Sequence, residues 1–251
     1  MKNNVAVIIL AAGMGTRMKS AKAKVLHEIQ GRPMINYVVD TARQVAGDDV
    51  IVVIGNQAAS VRAVLSDTAQ LLFAYQEHQR GTGHAVLCAL PQIPVHCGHV
   101  IILYGDVPLI QPETISGLLE DHLSARRDVS LLAVEMANPC GYGRILLDDN
   151  SQISAIIEEA DASAAQKQIK LINTGIYCIA KPFLLETLPK VRSDNAQGEL
   201  YLTDIMAIGY QEKKNMGVMV GSDCQQILGI NTWQDLMTVE KAMKSDARII
   251  S

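Results

Sequence analysis

The residues best suited to chemistry follow the first apolar run of the chain, residues 5–10. Gly13 and Gly15 come next, and then Arg17. Small residues allow a ligand to approach the backbone closely, and exposed backbone N–H groups in such a loop can hold a phosphate. The Arg17 guanidinium adds a charged fork for the same anion. The stretch therefore predicts a nucleotide-binding strand and loop.

The loop matches neither of two common nucleotide-binding motifs. A P-loop needs a lysine followed by serine or threonine directly after its last glycine, and no such pair follows Gly15. The dinucleotide fingerprint needs a third glycine where Met18 stands. A strand followed by a tight turn that binds nothing therefore stays open as an alternative.

Two further segments are candidates to act with this loop. Lys24 lies close enough along the chain to reach a bound phosphate, whereas Lys22 is better explained as a solvated charge. Gln76 begins a polar segment with Gly81 and Gly83, and its amide can both donate to and accept from the edge of a base. Taken alone, this segment is equally well explained as a polar loop before a helix.

Asp106 follows a strand predicted at residues 100–104. In an open α/β sheet, ligands bind beyond the carboxyl ends of the strands, so Asp106 is expected beside residues 11–17 and 76–83. A hard carboxylate at such a place suits Mg²⁺. The alternative is an ordinary turn aspartate shortly before Pro108.

Apolar runs separated by helical patterns predict the elements that must position these residues. Their β-α-β-α-β order favours a parallel sheet with right-handed crossovers. The predicted strands cover residues 5–10, 50–54, 71–75, 100–104, 129–134, 152–157, 171–179 and 227–230. Helices are predicted from Pro33 onward and over residues 57–66, 84–90, 199–210 and 232–243, with a short helix or flap over residues 161–170.

Composition excludes several classes of function. The chain has 251 residues, of which 49% are hydrophobic, and this allows one large α/β domain or two small ones. A net charge of −4 provides no basic field for nucleic acid or a membrane surface. No secretory signal or bilayer-spanning apolar run occurs, so we expect a cytoplasmic protein. The five cysteines are scattered, and the spacing of His96, Cys97 and His99 matches no standard zinc site.

With these residues in view, the chain resembles the sugar-nucleotide pyrophosphorylases of the GT-A-like nucleotidyltransferase superfamily. Within that superfamily it is most similar to the uridylyltransferase domain of the bacterial GlmU family. The matching blocks run in family order: LAAGMGTRM (10–18) with AKVL (23–26), YQEHQRGTGHA (75–85), LYGDVPLI (103–110), GYGRI (141–145), IIEEADA (156–162), INTGIY (172–177), NAQGELYLTDI (195–205) and GIN (229–231).

The resemblance implies an α/β fold with a Rossmann-like, mostly parallel sheet flanked by helices and a mixed, sugar-binding second half. It implies a single nucleotidyltransferase domain over residues 1–251. Residues 1–128 would form a nucleotide-binding half, residues 129–231 a sugar-binding half and residues 232–251 a C-terminal helix.

The resemblance also implies an activity and the residues that serve it. UMP would pass from UTP to N-acetylglucosamine-1-phosphate with Mg²⁺ and without a covalent intermediate, giving a precursor of peptidoglycan and lipopolysaccharide. The nucleoside would be held by Leu10, Ala11, Ala12, Gly13, Gln76 and Gly81, and Thr82 would line the pocket. The phosphates would be held by Arg17 and Lys24, and Mg²⁺ by Asp106 and Asn231. The sugar would contact Tyr104, Gly143, Glu158 and Asn173, and Gly105 would belong to the substrate-binding set.

Two departures from the family pattern matter. Ala23 stands where a proline usually precedes the lysine, which loosens the backbone before Lys24. No hexapeptide repeat follows, so we expect neither the acetyltransferase β-helix of the bifunctional relatives nor their trimer, but a monomer or weak dimer.

Three other functions are alternatives. The first is the same chemistry on another sugar-1-phosphate or base. The second is a non-catalytic regulator that binds a sugar nucleotide, which the joint presence of Arg17, Lys24, Asp106 and Asn231 disfavours. The third is a GT-A glycosyltransferase, which usually carries Asp-x-Asp, whereas Asp106 has no carboxylate neighbour.

Overall fold

The apolar runs of the chain form buried strands of one central sheet. The computed structural model describes residues 4–66 and 70–245. Its strands are β1 Val5–Leu10, β2 Glu28–Ile29, β3 Arg32–Pro33, β4 Val50–Ile54, β5 Leu72–Tyr75, β6 His99–Tyr104, β7 Val129–Glu135, β8 Gly143–Leu147, β9 Ile153–Ile157, β10 Leu171–Ala180 and β11 Met216–Gly221. Its helices are α1 Met34–Ala46, α2 Ala58–Val64, α3 Thr82–Ala89, α4 Pro112–Ser124, α5 Lys181–Thr187, α6 Asp204–Gln211 and α7 Trp233–Ser245.

The order of the main strands is β11-β7-β10-β6-β1-β4-β5, and β8 pairs with both β10 and β9. Strands β5, β4, β1 and β6 pair in parallel, as a β-α-β succession requires. Strand β10 runs antiparallel to both β6 and β7, whereas β11 is parallel to β7. The predicted α/β class, a mostly parallel sheet with a mixed second half, is confirmed.

Helices cover both faces of the sheet. Successive side chains of a strand point to opposite faces, and along β1 Val7 and Ile9 belong to one buried cluster while Ala6 and Ile8 belong to the other. The first cluster is completed by helices α1, α4 and α7, and the second by α3, α5 and α6. Because both faces are covered, the strands are buried without alternation, which explains the continuous apolar runs.

The predicted strand at residues 227–230 is wrong. Cys224–Ile227 forms a 3₁₀ turn whose start is capped by Asp223, and Leu228 closes the turn onto Gln225. The apolar side chains there are buried in the core without a strand partner. The strand in this region is instead β11, which the sequence analysis did not predict.

The predicted helix at residues 199–210 begins later than expected, since α6 starts at Asp204. The residues before it form a loop that pairs with the end of the β5–α3 connection. Leu200 N–H donates to the Arg80 carbonyl at 2.8 Å, and Gly83 N–H donates to the Leu200 carbonyl at 2.8 Å. Through these bonds both backbone groups of Leu200 are paired without a helix.

The predicted flap at residues 161–170 contains a single 3₁₀ turn, Gln166–Gln168. The predicted terminal helix is confirmed as α7. Within residues 4–66 and 70–245, no helix is both long and apolar enough to cross a bilayer.

Candidate active site

The loop after β1 forms one wall of a cavity of about 350 Å³, which opens where β1, β5 and β6 end. The β5–α3 connection forms the facing wall. Most of the residues expected to hold the nucleotide line this cavity: Leu10, Ala11, Ala12, Gly13, Lys24, Gln76, Gly81 and Thr82. Tyr104, expected to contact the sugar, and Asp106, expected to hold Mg²⁺, line it as well. The sequence-predicted loops therefore converge as expected for ligand binding beyond strand ends.

Four charged or polar residues from distant parts of the chain meet beside this cavity. The Lys24 ammonium forms an ion pair with Asp106 Oδ2 and lies 3.1 Å from Asn231 Oδ1. Arg17 donates to the same Asn231 oxygen at 2.7 Å. The Lys24 and Asp106 side chains are only 16% and 12% exposed, so their interaction is weakly screened by solvent. The cluster holds two cations ready for an anionic ligand.

Local backbone geometry brings Lys24 to this cluster. Gly15 has a φ of 62°, and a Cβ there would lie 2.6 Å from the Lys24 Cβ, so only glycine fits. Ala23 has a φ of −55°, the value a proline would impose. Its N–H donates to Gln57 Oε1 at 3.2 Å, and Gln57 Nε2 donates to the Ala21 carbonyl. Gln57 therefore fixes the backbone that the absent proline would have stiffened.

The buried amide of Gln76 has a defined orientation. Its Nε2 donates to the Gly81 carbonyl at 3.1 Å and lies 3.1 Å from His84 Nδ1. Burial lowers the pKa of His84, and the charge of Arg80 lowers it further, so the imidazole is neutral and Nδ1 can accept. With both amide hydrogens engaged, Gln76 meets a ligand through its acceptor oxygen.

The residues expected to bind a sugar form a second group next to the cavity. A Cβ on Gly143 would lie 3.4 Å from Glu158 Oε2 and 3.5 Å from the Asn173 Cβ. Asn173 Oδ1 accepts from Tyr177 Oη at 3.1 Å, and Thr203 Oγ1 donates to Glu158 Oε1 at 3.2 Å. Gly143, Glu158 and Asn173 therefore share one compartment.

Burial controls protonation in this compartment. It raises the pKa of Glu158, and the nearby carboxylates of Asp204 and Asp161 raise it further. Burial likewise raises the pKa of the Tyr104 hydroxyl, with smaller contributions from Glu158 and Asp106. Tyr104 is therefore a neutral phenol that links the compartment to the cavity.

The structure adds residues that the sequence analysis did not assign. Gln79 and Glu199 line the cavity, together with Met14, Gly15, Thr16, Val25 and Ala85. Thr203 and Glu199 lie in the block at 195–205, which was matched as a whole but given no role. By contrast, Gly105 packs against the first loop, with its N–H bonded to the Leu10 carbonyl at 3.0 Å. Gly105 therefore holds the loop after β1 in place and does not itself line the cavity.

The donor set suits a small hard cation. Asp106 Oδ2 and Asn231 Oδ1 are both oxygen atoms, and both approach the positively charged Lys24 ammonium. Two convergent oxygens next to the loop after β1 fit Mg²⁺, which usually takes one or two protein oxygens and completes its shell with substrate phosphates and water.

The structure separates His99 from His96 and Cys97, whose sequence spacing matches no standard zinc site. His99 Nδ1 lies 3.1 Å from His122 Nε2, whereas Asp49 joins His96 and Cys97. His96 Nε2 lies 2.7 Å from Asp49 Oδ2, as in an ordinary ion pair, and this group lies at the opposite ends of the strands from the cavity.

Comparison with known proteins identifies similar sequences and folds. The family model of MobA-like NTP transferase domains matches residues 7–171. The bifunctional protein GlmU of Geotalea uraniireducens (strain Rf4) is 42% identical over 233 residues, which cover 91% of this chain and 50% of that protein. The bifunctional protein GlmU of Desulfotalea psychrophila (strain LSv54 / DSM 12343) is 40% identical over 243 residues, covering 97% of this chain and 71% of that protein. The chain thus spans about half the length of the first of these relatives.

A solved structure has the same fold. It comes from Bacillus anthracis, is assigned as a glucose-1-phosphate thymidylyltransferase and contains sucrose. The match has a TM-score of 0.73 at 19% sequence identity and covers 96% of both chains.

Proposed function

The chain belongs to the family of MobA-like NTP transferase domains, and on this basis we propose that it transfers UMP from UTP to N-acetylglucosamine-1-phosphate and releases pyrophosphate. One observation carries the proposal: Arg17, Lys24, Asp106 and Asn231 meet at the mouth of a cavity walled by two glycine-containing loops. The uridylyltransferase activity follows the likeness to the GlmU proteins.

The reaction needs positioning and charge neutralisation rather than a general base. A phosphate oxygen of the sugar phosphate is already an anionic nucleophile. It forms a bond to the α-phosphorus of UTP while the bond from that phosphorus to the bridging oxygen breaks, and pyrophosphate leaves with the electron pair. The obstacle is bringing two anions together, and Arg17 and Lys24 oppose that repulsion.

Asp106 and Asn231 would hold Mg²⁺, whose charge stabilises phosphate oxygens when it is bound. Lys24 occupies a central place in this arrangement because its ammonium contacts both oxygen ligands in the protein described here. Arg17 also donates to Asn231 Oδ1. A triphosphate would compete for both the Lys24 ammonium and the Arg17 guanidinium, which would free the two oxygens for the metal.

The second compartment would select the sugar. Glu158 Oε2 would accept from a sugar hydroxyl. Asn173 Oδ1 already accepts from Gly175 N–H and Tyr177 Oη, so Asn173 would meet the sugar through its amide N–H groups. Gly143 lets the backbone lie close to both side chains, since a Cβ there would lie 3.4 Å from Glu158 Oε2. We propose that residues 1–128 supply the nucleotide site and residues 129–231 the sugar site of one domain. UTP and the sugar phosphate are then the partners that the site requires.

The test is a pyrophosphate-release assay on the purified chain with Mg²⁺, across a panel of nucleoside triphosphates and sugar-1-phosphates. We expect UTP with N-acetylglucosamine-1-phosphate to give the highest kcat/KM. A higher kcat/KM with glucose-1-phosphate or another sugar-1-phosphate would show that N-acetylglucosamine-1-phosphate is not the preferred acceptor. Binding of UDP-N-acetylglucosamine without turnover of any pair would support a non-catalytic regulator instead.

A further inference from the structure

The turn that carries Arg17 has little structure of its own. Thr16–Met18 is a single 3₁₀ turn, and such short turns are weakly held by their own hydrogen bonds. The residues on either side, Gly15 and Lys19, both have left-handed backbones, with φ values of 62° and 48°. Something outside the turn must therefore hold Arg17 in place.

The side chain of Met18, the last residue of the turn, is buried in the core. Two hydrogen bonds add to that support, and both come from residues 231–233 at the start of α7. Arg17 donates to Asn231 Oδ1 at 2.7 Å. Trp233, the only tryptophan of the chain, donates from its indole Nε1 to the Met18 carbonyl at 3.1 Å. The contacts join residues more than 200 positions apart, so the first residue of the last helix is tied to the first loop.

The start of α7 is a firm base for these contacts. Asp235 Oδ2 accepts from the N–H groups of Asn231 and Thr232 at 2.9 and 2.8 Å, and its own N–H donates to Thr232 Oγ1 at 3.2 Å. This reciprocal arrangement resembles a capping box. Further along, Val239 and Met243 anchor the helix in the core.

The indole also contacts the segment that carries the second cation. Its ring meets the His27 ring edge to face, with 4.9 Å between centroids. His27 is buried and follows the 3₁₀ turn that starts at Lys24, where its N–H donates to the Lys24 carbonyl at 3.2 Å. Trp233 thus touches both segments that present a cation to the cavity.

We propose that Trp233 is a positioning residue for the phosphate site: its indole N–H holds the Met18 carbonyl and so keeps Arg17 where a bound triphosphate meets it. The proposal rests on the proposed function only in taking a magnesium nucleoside triphosphate as the ligand. Trp233 is 52% exposed, so this hydrogen bond and the His27 contact, rather than burial, account for its effect on the loop.

Trp233→Phe tests the proposal because phenylalanine keeps a ring against His27 and removes only the N–H donor. We expect the affinity for magnesium UTP, measured by calorimetry, to fall about fivefold, as the loss of one hydrogen bond implies. The KM for the sugar phosphate should change by less than about twofold, since that compartment is separate. Met237→Leu, on the same helix and also exposed, is the matched control and should change neither.

A double-mutant cycle separates positioning from general stability. In an Arg17→Met background, Trp233→Phe should have almost no further effect on nucleotide affinity, because the group that it positions is gone. The proposal would be overturned if Trp233→Phe lowered nucleotide affinity equally in the wild-type and Arg17→Met chains. It would also be overturned if Trp233→Phe alone left the affinity unchanged.

The two proposals fail separately in this experiment. If the wild-type chain binds magnesium UTP but releases no pyrophosphate with any sugar phosphate, the proposed function is wrong and the cycle still decides the role of Trp233. No binding of magnesium UTP by the wild-type chain would overturn both.

Discussion

The candidate site is a set of charges that neutralise one another until an anion competes for them. Lys24 and Asp106 are paired in a poorly solvated place, where removing one partner would leave the other uncompensated. A triphosphate can replace Asp106 as the partner of Lys24 without leaving either charge alone, provided a cation takes up Asp106. The exchange of partners explains why both signs of charge lie side by side.

The orientation of Gln76 predicts which base the cavity accepts. Uracil offers an N–H at position 3, which can donate to the Gln76 oxygen, whereas cytosine has an acceptor at that position and would face it unfavourably. We expect UTP to exceed CTP by at least about tenfold in kcat/KM, and Gln76→Ala to reduce that ratio. Steady-state kinetics with both nucleotides measures it, and equal use of the two by the wild-type chain would show that Gln76 does not read the base.

At the scale of elements, the sequence predicted the buried parallel strands well because each is one continuous apolar run. The prediction failed where a continuous apolar run has a cause other than a strand. The apolar run at residues 227–230 packs its side chains against the core and does not pair in a sheet. Strand β11 was missed because two of its residues, Gly217 and Gly221, weaken the strand pattern and its side chains are only partly buried.

The candidate site residues come from the motif blocks, and the contacts between them were not predictable from spacing. Asn231 and Arg17 are 214 positions apart, and nothing local indicates that they meet. Gln57 was assigned only to a helix-like segment, yet it compensates for Ala23 in the Lys24 loop. Such long-range hydrogen bonds depend on how elements pack, which periodicity does not encode.

The Gln57 contact gives a prediction about the Lys24 loop. Gln57→Ala removes two hydrogen bonds to that loop and should lower kcat/KM by about fivefold, as a net loss near 1 kcal/mol implies. Adding Ala23→Pro to this variant should restore much of the loss, because the backbone at residue 23 already has a proline-like φ. Kinetics of the single and double variants decide the point. If the double variant had a lower kcat/KM than Gln57→Ala, then Gln57 would not act by limiting the flexibility of this loop.

At the scale of the whole molecule, the two halves meet where the sheet changes direction. Parallel strand β6 ends at Tyr104 and leads to Asp106, and its antiparallel neighbour β10 carries Asn173. The pairing of β10 with β7 shifts between Asn173 and Tyr177, and Gly175 there has a φ of 80°. A Cβ at Gly175 would collide with the Tyr104 ring, so the irregularity lets β10 and its Asn173 approach the end of β6.

A buried histidine far from the cavity, His122, predicts how the free energy of unfolding depends on pH. His122 is fully buried between His99 and Ser130, and burial, with the charges of His99 and Arg127, lowers its pKa from 6.5 to about 4. The unfolded chain therefore binds a proton in this range that the folded chain does not, so the free energy of unfolding should fall as the pH drops from 6.5 toward 4. The loss is on the order of 3 kcal/mol.

Denaturant unfolding at a series of pH values measures this dependence. His122→Gln should start from a lower stability and show a weaker decline over the same range. A decline of equal steepness in both proteins would assign the acid sensitivity to other groups.

The most direct test of the account follows the labelled α-phosphate. With UTP labelled at the α-phosphorus, N-acetylglucosamine-1-phosphate and Mg²⁺, the wild-type chain should move the label into UDP-N-acetylglucosamine and release one unlabelled pyrophosphate per product. Asp106→Asn, which keeps the shape of the strand end but removes the carboxylate charge, should slow this transfer by about a hundredfold or more without unfolding the protein. Label that stays in UTP, or leaves as free UMP, would contradict nucleotidyl transfer. Wild-type rates in Asp106→Asn at saturating Mg²⁺ would remove this cluster from the reaction.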